Sequence, residues 1–228
     1  MNNTLSSINP KRALFDQFAT VAKALGNGHR LELLELLAQS ERGVETLADL
    51  TGIGVANASQ HLQSLRRAGL VTARRDGKRI FYRLADDAVV SLLGALRQIA
   101  ERNLAEVGRV VANYFRERDQ LEPVSRTELL RRMRRRLVTV IDVRPAEEFA
   151  AGHIPGALNL PLKMLPTGLK HIRAAKEIVA YCRGPYCVLS FEAVALLRQR
   201  GFMARRLEDG YPEWRIAGLP IATSSPEM

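Results

Sequence analysis

The chain has two cysteines and one tryptophan in 228 residues, and aromatic side chains make up 6% of it. Two thiols cannot supply the several bridges that staple small secreted domains. Both lie in one stretch, Tyr181-Cys182-Arg183-Gly184-Pro185-Tyr186-Cys187-Val188, so any redox, sulfur or soft-metal chemistry is confined to that stretch. No apolar run approaches the roughly 20 residues of a membrane span, and no membrane partner is expected. Residues 1–10 lack the charged start and apolar centre of a signal peptide. The expected location is therefore cytoplasmic, with reduced thiols at rest. The few histidines show no metal-ligand spacing, and neither a metal nor a cofactor is expected.

The residues that are present suit packed cores and a polyanionic partner. Hydrophobic residues make up 46%, and the net charge is +10 with an isoelectric point near 10.2. The positive surplus is shared by both halves, so only local clustering can place a nucleic-acid site.

In the first half, Pro10 to Leu25 carries Leu14, Phe15, Phe18, Val21, Ala22 and Leu25 on one helical stripe. Arg30 to Leu37 reads as a buried helix, Val44 to Leu50 as a short third, and Val55 to Ala68 as a fourth, with Gly69 as its C′ residue. The turn Thr51-Gly52-Ile53-Gly54 joins the last two into a helix-turn-helix pattern. On the fourth helix Leu62, Leu65 and Ala68 can face a core, leaving Asn57, Ser59, Gln60 and Gln63 turned elsewhere. Asn and Gln can read adenine edges, and Ser can reach bases or phosphates. A solvated helix face would have the same composition. The following segment favours DNA: Gly69 to Arg75 and Lys78 to Leu84 read as strands about an Asp76-Gly77 turn. Arg74, Arg75, Lys78 and Arg79 crowd the hairpin tip, where each phosphate contact adds salt-dependent affinity. Asp86 to Arg118 reads as one helix of about 50 Å with an apolar stripe from Val89 to Tyr114.

The string Ser59-Gln60-His61-Leu62-Gln63-Ser64-Leu65-Arg66-Arg67-Ala68-Gly69-Leu70-Val71, the preceding Leu25-Gly26-Asn27-Gly28-His29-Arg30 and the basic hairpin resemble the ArsR/SmtB family of bacterial repressors. The resemblance covers residues 10–118. It implies a winged helix-turn-helix that binds double-stranded operator DNA, as a homodimer built from its first and last helices. Metal-sensing relatives carry cysteines in the third helix, or carboxylate and histidine ligands in the last; here the third-helix region has no cysteine and the final helix no histidine, and His29 and His61 stand alone.

In the second half, Pro123 closes a linker over residues 119–124, and Ser125 with Glu128 has the form of a capping box. The helix behind it carries Arg131, Arg132, Arg134, Arg135 and Arg136, read as a solvated face. Leu137 to Arg144, Gly156 to Leu160 and Ile178 to Tyr181 read as strands between helices, which gives a small α/β domain with a mostly parallel sheet. Functional loops of such sheets lie at the carboxyl ends of strands, where Cys182 stands. A thiol between a strand and a helix N-terminus is expected to favour its thiolate.

Asp142-Val143-Arg144-Pro145-Ala146-Glu147-Glu148-Phe149, Gly152-His153-Ile154-Pro155-Gly156-Ala157-Leu158-Asn159, Tyr181-Cys182 and Asp209-Gly210-Tyr211-Pro212-Glu213-Trp214 together resemble a rhodanese domain over residues 123–223. The resemblance implies a three-layer α/β fold that moves sulfane sulfur through a persulfide on Cys182. Backbone amides of Arg183 through Val188 would cradle the anionic sulfur, with Arg183, Gly184, Pro185, Tyr186 and Val188 forming the active loop. Asp142, Arg144, Glu148 and His153 are read as structural. Cys187 departs from the family pattern, in which the loop ends on a basic or polar residue. It is read as a resolving thiol, with inward packing as a small apolar side chain as the alternative.

The domains expected are residues 1–118 for DNA binding and dimerisation and residues 125–228 for the rhodanese-like fold. The function expected is a repressor that senses reactive sulfur through Cys182, with a small donor such as a persulfide, polysulfide or thiosulfate. The alternatives are a DNA-tethered sulfurtransferase acting through Cys182, a soft-metalloid sensor using Cys182 and Cys187, and a rhodanese-like domain that is purely structural.

Overall fold

The computed structural model describes residues 9–116, 123–169 and 176–224. The chain divides into two compact units, one ending at Val89 and one beginning at Val90. In the first unit, helices α1 (Pro10–Leu25), α2 (Gly28–Leu37), α3 (Val44–Thr51) and α4 (Val55–Arg67) precede a hairpin of β2 (Val71–Asp76) and β3 (Arg79–Leu84). A two-residue strand, β1 (Arg42–Gly43), adds to the free edge of β3, giving an antiparallel sheet of order β1-β3-β2. Leu33, Leu34, Leu47, Leu62 and Leu65 are fully buried among these helices. Each such side chain contributes about 1.5–3 kcal/mol.

Local chemistry sets the boundaries. Asn27 caps α2 by accepting the Arg30 amide at 3.2 Å. Gly52, at φ 66°, ends α3 and starts the tight turn into α4. Beyond α4, Gly69 takes φ 74°, and its amide and that of Leu70 reach back to the carbonyls of Arg66 and Leu65 at 3.0 Å each. This closes the helix with a Schellman motif around the expected glycine. The hairpin differs from expectation by one residue. Asp76 pairs with Arg79, so Gly77 and Lys78 form the turn. Gly77 supplies the positive φ that a two-residue turn of this kind needs at its first position.

The single helix expected over residues 86–118 is interrupted. Helix α5 (Ala88–Asn103) ends where Leu104 turns to an extended backbone, and α6 (Ala105–Val110) continues into a π-helical turn, Val111–Arg116. The Asn103 side chain donates to the Ile99 carbonyl at 2.8 Å. An amide that competes with the backbone in this way favours a helix end over a helix interior. Residues 117 and 118 lie outside the described residues, as does most of the expected linker.

The second unit holds a parallel sheet of order β5-β4-β6-β7: β4 (Val138–Asp142), β5 (Leu158–Asn159), β6 (Glu177–Tyr181) and β7 (Ala204–Arg206). Helices α7 (Arg126–Arg134), α8 (Ala146–Ala151), α9 (Leu165–Gly168), α10 (Val188–Gln199) and α11 (Tyr211–Ile216) surround it. The central strands β4 and β6 read as continuous apolar runs because both faces are covered. On one face Ile141, Ile178, Ala180 and Leu197 pack together, and on the other Leu129, Val179, Tyr181 and Trp214 do. Ser125 caps α7 through the Glu128 amide at 3.3 Å. The reciprocal half of the expected capping box is replaced, because the Glu128 carboxylate is taken by Arg131 at 2.7 Å and Arg132 at 2.5 Å. These contacts hold Glu128 down at about 2. Arg132 also pairs with Glu177 of β6, so part of the arginine run belongs to the fold rather than to a solvated face.

Candidate functional site

Asp142 and Tyr181 are register partners at the carboxyl ends of β4 and β6, so Cys182 emerges at the active edge of a parallel sheet. Its side chain turns inward. Cys182 is 1% exposed and belongs to the cluster that contains Ile141, Ala180 and Leu197. Cys187 is only partly buried and holds the N-cap position of α10, at the positive end of that helix. The place expected to favour thiolate is thus occupied by the second cysteine, because the intervening residues carry the chain from the strand end to the helix start.

The two thiols are hydrogen-bonding neighbours. Burial pushes the Cys182 thiol well up, and its bond to Cys187 adds to this. Cys187 is lowered to about 7, first by its bond with Cys182, then by the amides of Arg183 and Leu189, while burial opposes the shift. Not every loop amide expected in the cradle is available: that of Cys187 donates to the Gly184 carbonyl at 3.2 Å.

The loop is held from three sides. Glu148, fully buried on α8, grips the Arg183 guanidinium with contacts of 2.6, 3.0 and 3.1 Å. Gly210 presses against the loop backbone so closely that a Cβ there would lie 2.4 Å from Arg183 C and Gly184 N. The Gly210 amide donates to Glu213 at 3.1 Å, and Glu213 pairs with Arg97 of α5 at 3.3 Å. Tyr186 hydrogen-bonds Glu101, also on α5; burial and this bond push its hydroxyl up to about 12. Within the second unit, then, α5 contacts both the loop and the helix that backs it. The residues that fasten the loop, Glu148, Gly210, Glu101 and Arg97, carry no sequence signal for that role. Glu148 and Gly210 stand inside recognisable strings, but their partner Arg183 is far off in sequence.

Asp142 and Arg144 form a fully buried ion pair at 2.6 Å, and Arg144 also donates to the Gly152 carbonyl at 2.7 Å. The guanidinium lies 4.3 Å from the Tyr211 ring centre. His153 stacks on Phe149 at 3.7 Å and its Nδ1 lies 2.8 Å from the Phe149 carbonyl. These contacts join the end of β4 to α8 and α11.

In the first unit Asn57, Gln60 and Gln63 are exposed on α4, with Ser59 half-buried and within 3.4 Å of the Gln63 amide. On the wing Arg75, Lys78 and Arg79 are exposed. Arg74 is engaged by Glu41 at 2.6 Å and Asp76 at 3.2 Å and stacks over Phe81 at 4.7 Å, so its charge is largely balanced within the protein. The structure brings the His29 and His61 rings to 5.8 Å. Burial lowers the His61 pKa, and Arg30 and His29 add to the effect. Among the described residues no group of three or more His, Cys, Asp or Glu side chains is placed to hold a metal ion. Among them, too, no helix is long and apolar enough to cross a membrane.

Two family models match the chain: the bacterial regulatory protein, arsR family, over residues 27–73, and the rhodanese-like domain over residues 125–217. Across almost its full length the chain is similar to the HTH-type transcriptional regulator Rv0324 of Mycobacterium tuberculosis. The two are 46% identical over 216 residues, 95% of each chain. The chain belongs to the ArsR family of transcriptional regulators and carries a rhodanese-like domain. The C-terminal part of this regulator is also similar to a sulfurtransferase of Allochromatium vinosum, 36% identical over 37% of the regulator and 78% of that protein. A solved homodimeric winged helix-turn-helix DNA-binding domain from Mycobacterium bovis is 48% identical, covering 42% of the regulator and 89% of that chain, with a TM-score of 0.40. The winged helix-turn-helix of this regulator is the first unit, with β2 and β3 as its wing.

Proposed function

We propose that this regulator is a repressor whose grip on operator DNA responds to reactive sulfur at the Cys182–Cys187 pair. The observation that carries the reading is the hydrogen-bonded thiol pair, partly open to solvent, on a loop fastened to α5. A neighbouring second thiol is what reversible thiol sensing uses. The helix α5 continues in the chain from the DNA-binding unit, so a loop that changes shape on modification has a covalent route to it. Two copies of the chain are proposed to assemble through the first and last helices of the DNA-binding half. Leu14, Phe15 and Phe18 on α1, and Leu92, Leu96 and Ile99 on α5, are exposed apolar side chains at helical spacing, the pattern of a face that another helix covers.

The test joins intact-mass measurement to operator binding by the full chain, before and after sulfide, polysulfide, peroxide and arsenite. Polysulfide is expected to leave a mass change confined to the Cys182–Cys187 loop and to weaken operator binding. Modification with unchanged binding would favour the DNA-tethered sulfurtransferase, and a response to arsenite alone the metalloid sensor.

The wing and recognition helix are proposed to divide the labour, with Asn57, Ser59, Gln60 and Gln63 at base edges and Arg75, Lys78 and Arg79 on phosphates. Replacing Lys78 or Arg79 by alanine is expected to flatten the slope of log affinity against log salt by about 0.9 per lost contact. Arg74→Ala is expected to change the slope far less, because Glu41 and Asp76 already balance its charge. Equal slopes for all three variants would refute this division of the wing.

A further inference from the structure

We propose that the second unit carries a further nucleic-acid surface, at the amino-terminal edge of its sheet, which takes the phosphate backbone of duplex DNA. This rests on the regulator binding DNA and not on sulfur sensing. Helix α7 packs on one face of the sheet and runs into β4; α10 packs on the other and runs into β7. Both therefore end at the edge opposite the thiol loop. Leu137, Lys176 and Met203 directly precede β4, β6 and β7, neighbouring strands about 4.8 Å apart. Arg134, Arg135, Arg136 and Arg200 are exposed beside them, and among the described residues none of the four is paired with a carboxylate. The stretches of chain that precede the three strands, residues 129–137, 160–176 and 193–203, contain no Asp or Glu. Glu177, the first residue of β6, is held by Arg132 and lies 3.9 Å from Arg205. Asp142, Glu148, Asp209 and Glu213 stand at the other edge, at or after the carboxyl ends of β4 and β7. The unit is thus electrically polarised, and a polyanion meets the basic edge while the thiol loop stays clear.

The backbone at Arg136 points to the same edge. Helix α7 closes as α4 and α10 do: the Arg136 amide donates to the Met133 carbonyl at 2.9 Å and the Leu137 amide to the Arg132 carbonyl at 3.0 Å. This Schellman pattern needs left-handed backbone at the residue after the cap. Gly69 and Gly201 supply it at φ 74° and 81°. At the end of α7 the position is held by Arg136 at φ 55°, the one non-glycine residue with positive φ among those described. A Cβ makes this conformation costly, and arginine has no short polar group to relieve it. The helix dipole does not require the residue, because Arg131, Arg132 and Arg134 already lie in the last turn. A strained position kept by an exposed cation with no carboxylate partner in the fold points to a partner outside it. The guanidinium fork fits phosphate oxygens in a bidentate way. Duplex DNA is the phosphate source, because the winged helix-turn-helix of the same chain binds it. Tethering raises its local concentration, so individually weak contacts suffice.

The experiment uses the full, reduced chain and a labelled mixed-sequence duplex of about 40 base pairs, roughly four helical turns. Binding is read by anisotropy across a salt series. A triple variant, Arg134→Ala with Arg135→Ala and Arg136→Gly, is expected to have a shallower salt slope than wild type, by up to about 2.7 for three lost phosphates. Arg136→Gly alone is expected to bind with a slope shallower by about 0.9. The same substitution is expected to raise the thermal midpoint of the second unit by roughly 4–8 °C, because the strain at φ 55° is relieved. Fluorescence of the buried Trp214 follows that midpoint and shows that each variant is folded. Arg136→Lys keeps both charge and strain and is expected to match the wild type in slope and midpoint. A triple variant with the wild-type slope would overturn the DNA assignment in favour of an acidic protein surface. An Arg136→Gly protein that gains stability and loses no DNA affinity would overturn it as well. Lys78→Ala, measured alongside, separates this surface from the wing: a flattened slope there with none in the triple variant leaves the winged helix-turn-helix as the sole reader. No sulfur donor is present, so the result is independent of the Cys182–Cys187 reading.

Discussion

A chain carrying both Cys182→Ser and Cys187→Ser will bind its operator with the same affinity whether or not polysulfide is present. The wild type will lose affinity by about 5- to 150-fold, the range of a coupling free energy of about 1–3 kcal/mol between distinct sites. These are the only thiols in the chain, so no other side chain can form a persulfide or disulfide. The loop is attached to α5 through Tyr186–Glu101 and through Gly210–Glu213–Arg97, so a change there is expected to act on that helix. Fluorescence anisotropy of a labelled operator fragment at fixed salt measures both affinities. A double variant that still releases DNA on treatment would end the sulfur-sensing reading. Fixed salt matters because phosphate contacts alone can move affinity by orders of magnitude.

The second large effect concerns stability. Asp142→Ala will destabilise the second unit by about 3–5 kcal/mol, a large share of the roughly 5–15 kcal/mol that holds a domain together. Asp142 and Arg144 are both 0% exposed, and removing the carboxylate leaves a guanidinium buried without its counter-charge. Gly152's carbonyl and the Tyr211 ring would remain, and Glu148 would act on the guanidinium only as a nearby charge. Trp214 is the only tryptophan and is fully buried in the cluster with Tyr181 and Tyr211, so its fluorescence reports unfolding of this unit without a label. The urea midpoint should fall by roughly 1–5 M, given slopes of about 1–3 kcal/mol per molar. Replacing both partners by apolar residues of similar volume should cost less than Asp142→Ala alone, since no unpaired charge is left. A midpoint within about 0.3 M of wild type for Asp142→Ala would mean that the pair contributes little.

Much of the architecture was legible in the sequence because the signals are local. Helix periodicity, the Gly52 turn, the Gly69 cap and the basic hairpin place the winged helix-turn-helix. The apolar runs of β4 and β6 place the parallel sheet, and the position of Cys182 after β6 places the loop. The failures also have local causes that only the folded chain displays. Asn103 can either sit in a helix or cap one, and its bond back to Ile99 accompanies the end of α5 there. The turn residues shift to Gly77 and Lys78 because the hairpin's register follows the pairing of Asp76 with Arg79. Glu128 was free to complete a capping box until Arg131 and Arg132 claimed it.

By itself the sequence determined that this chain joins an ArsR-type DNA reader to a rhodanese-like domain, and that its thiol chemistry is confined to one loop. Those conclusions rest on residue identity and on spacing along the chain. Tertiary structure decided which thiol is buried and which is partly exposed, and which charges are balanced within the protein. It balanced Arg74 with Glu41, fastened Arg183 to Glu148 and buried Cys182 while leaving Cys187 at the head of α10. The physical reason is that protonation and charge availability depend on burial and on partners distant in sequence, which the linear order of residues does not contain.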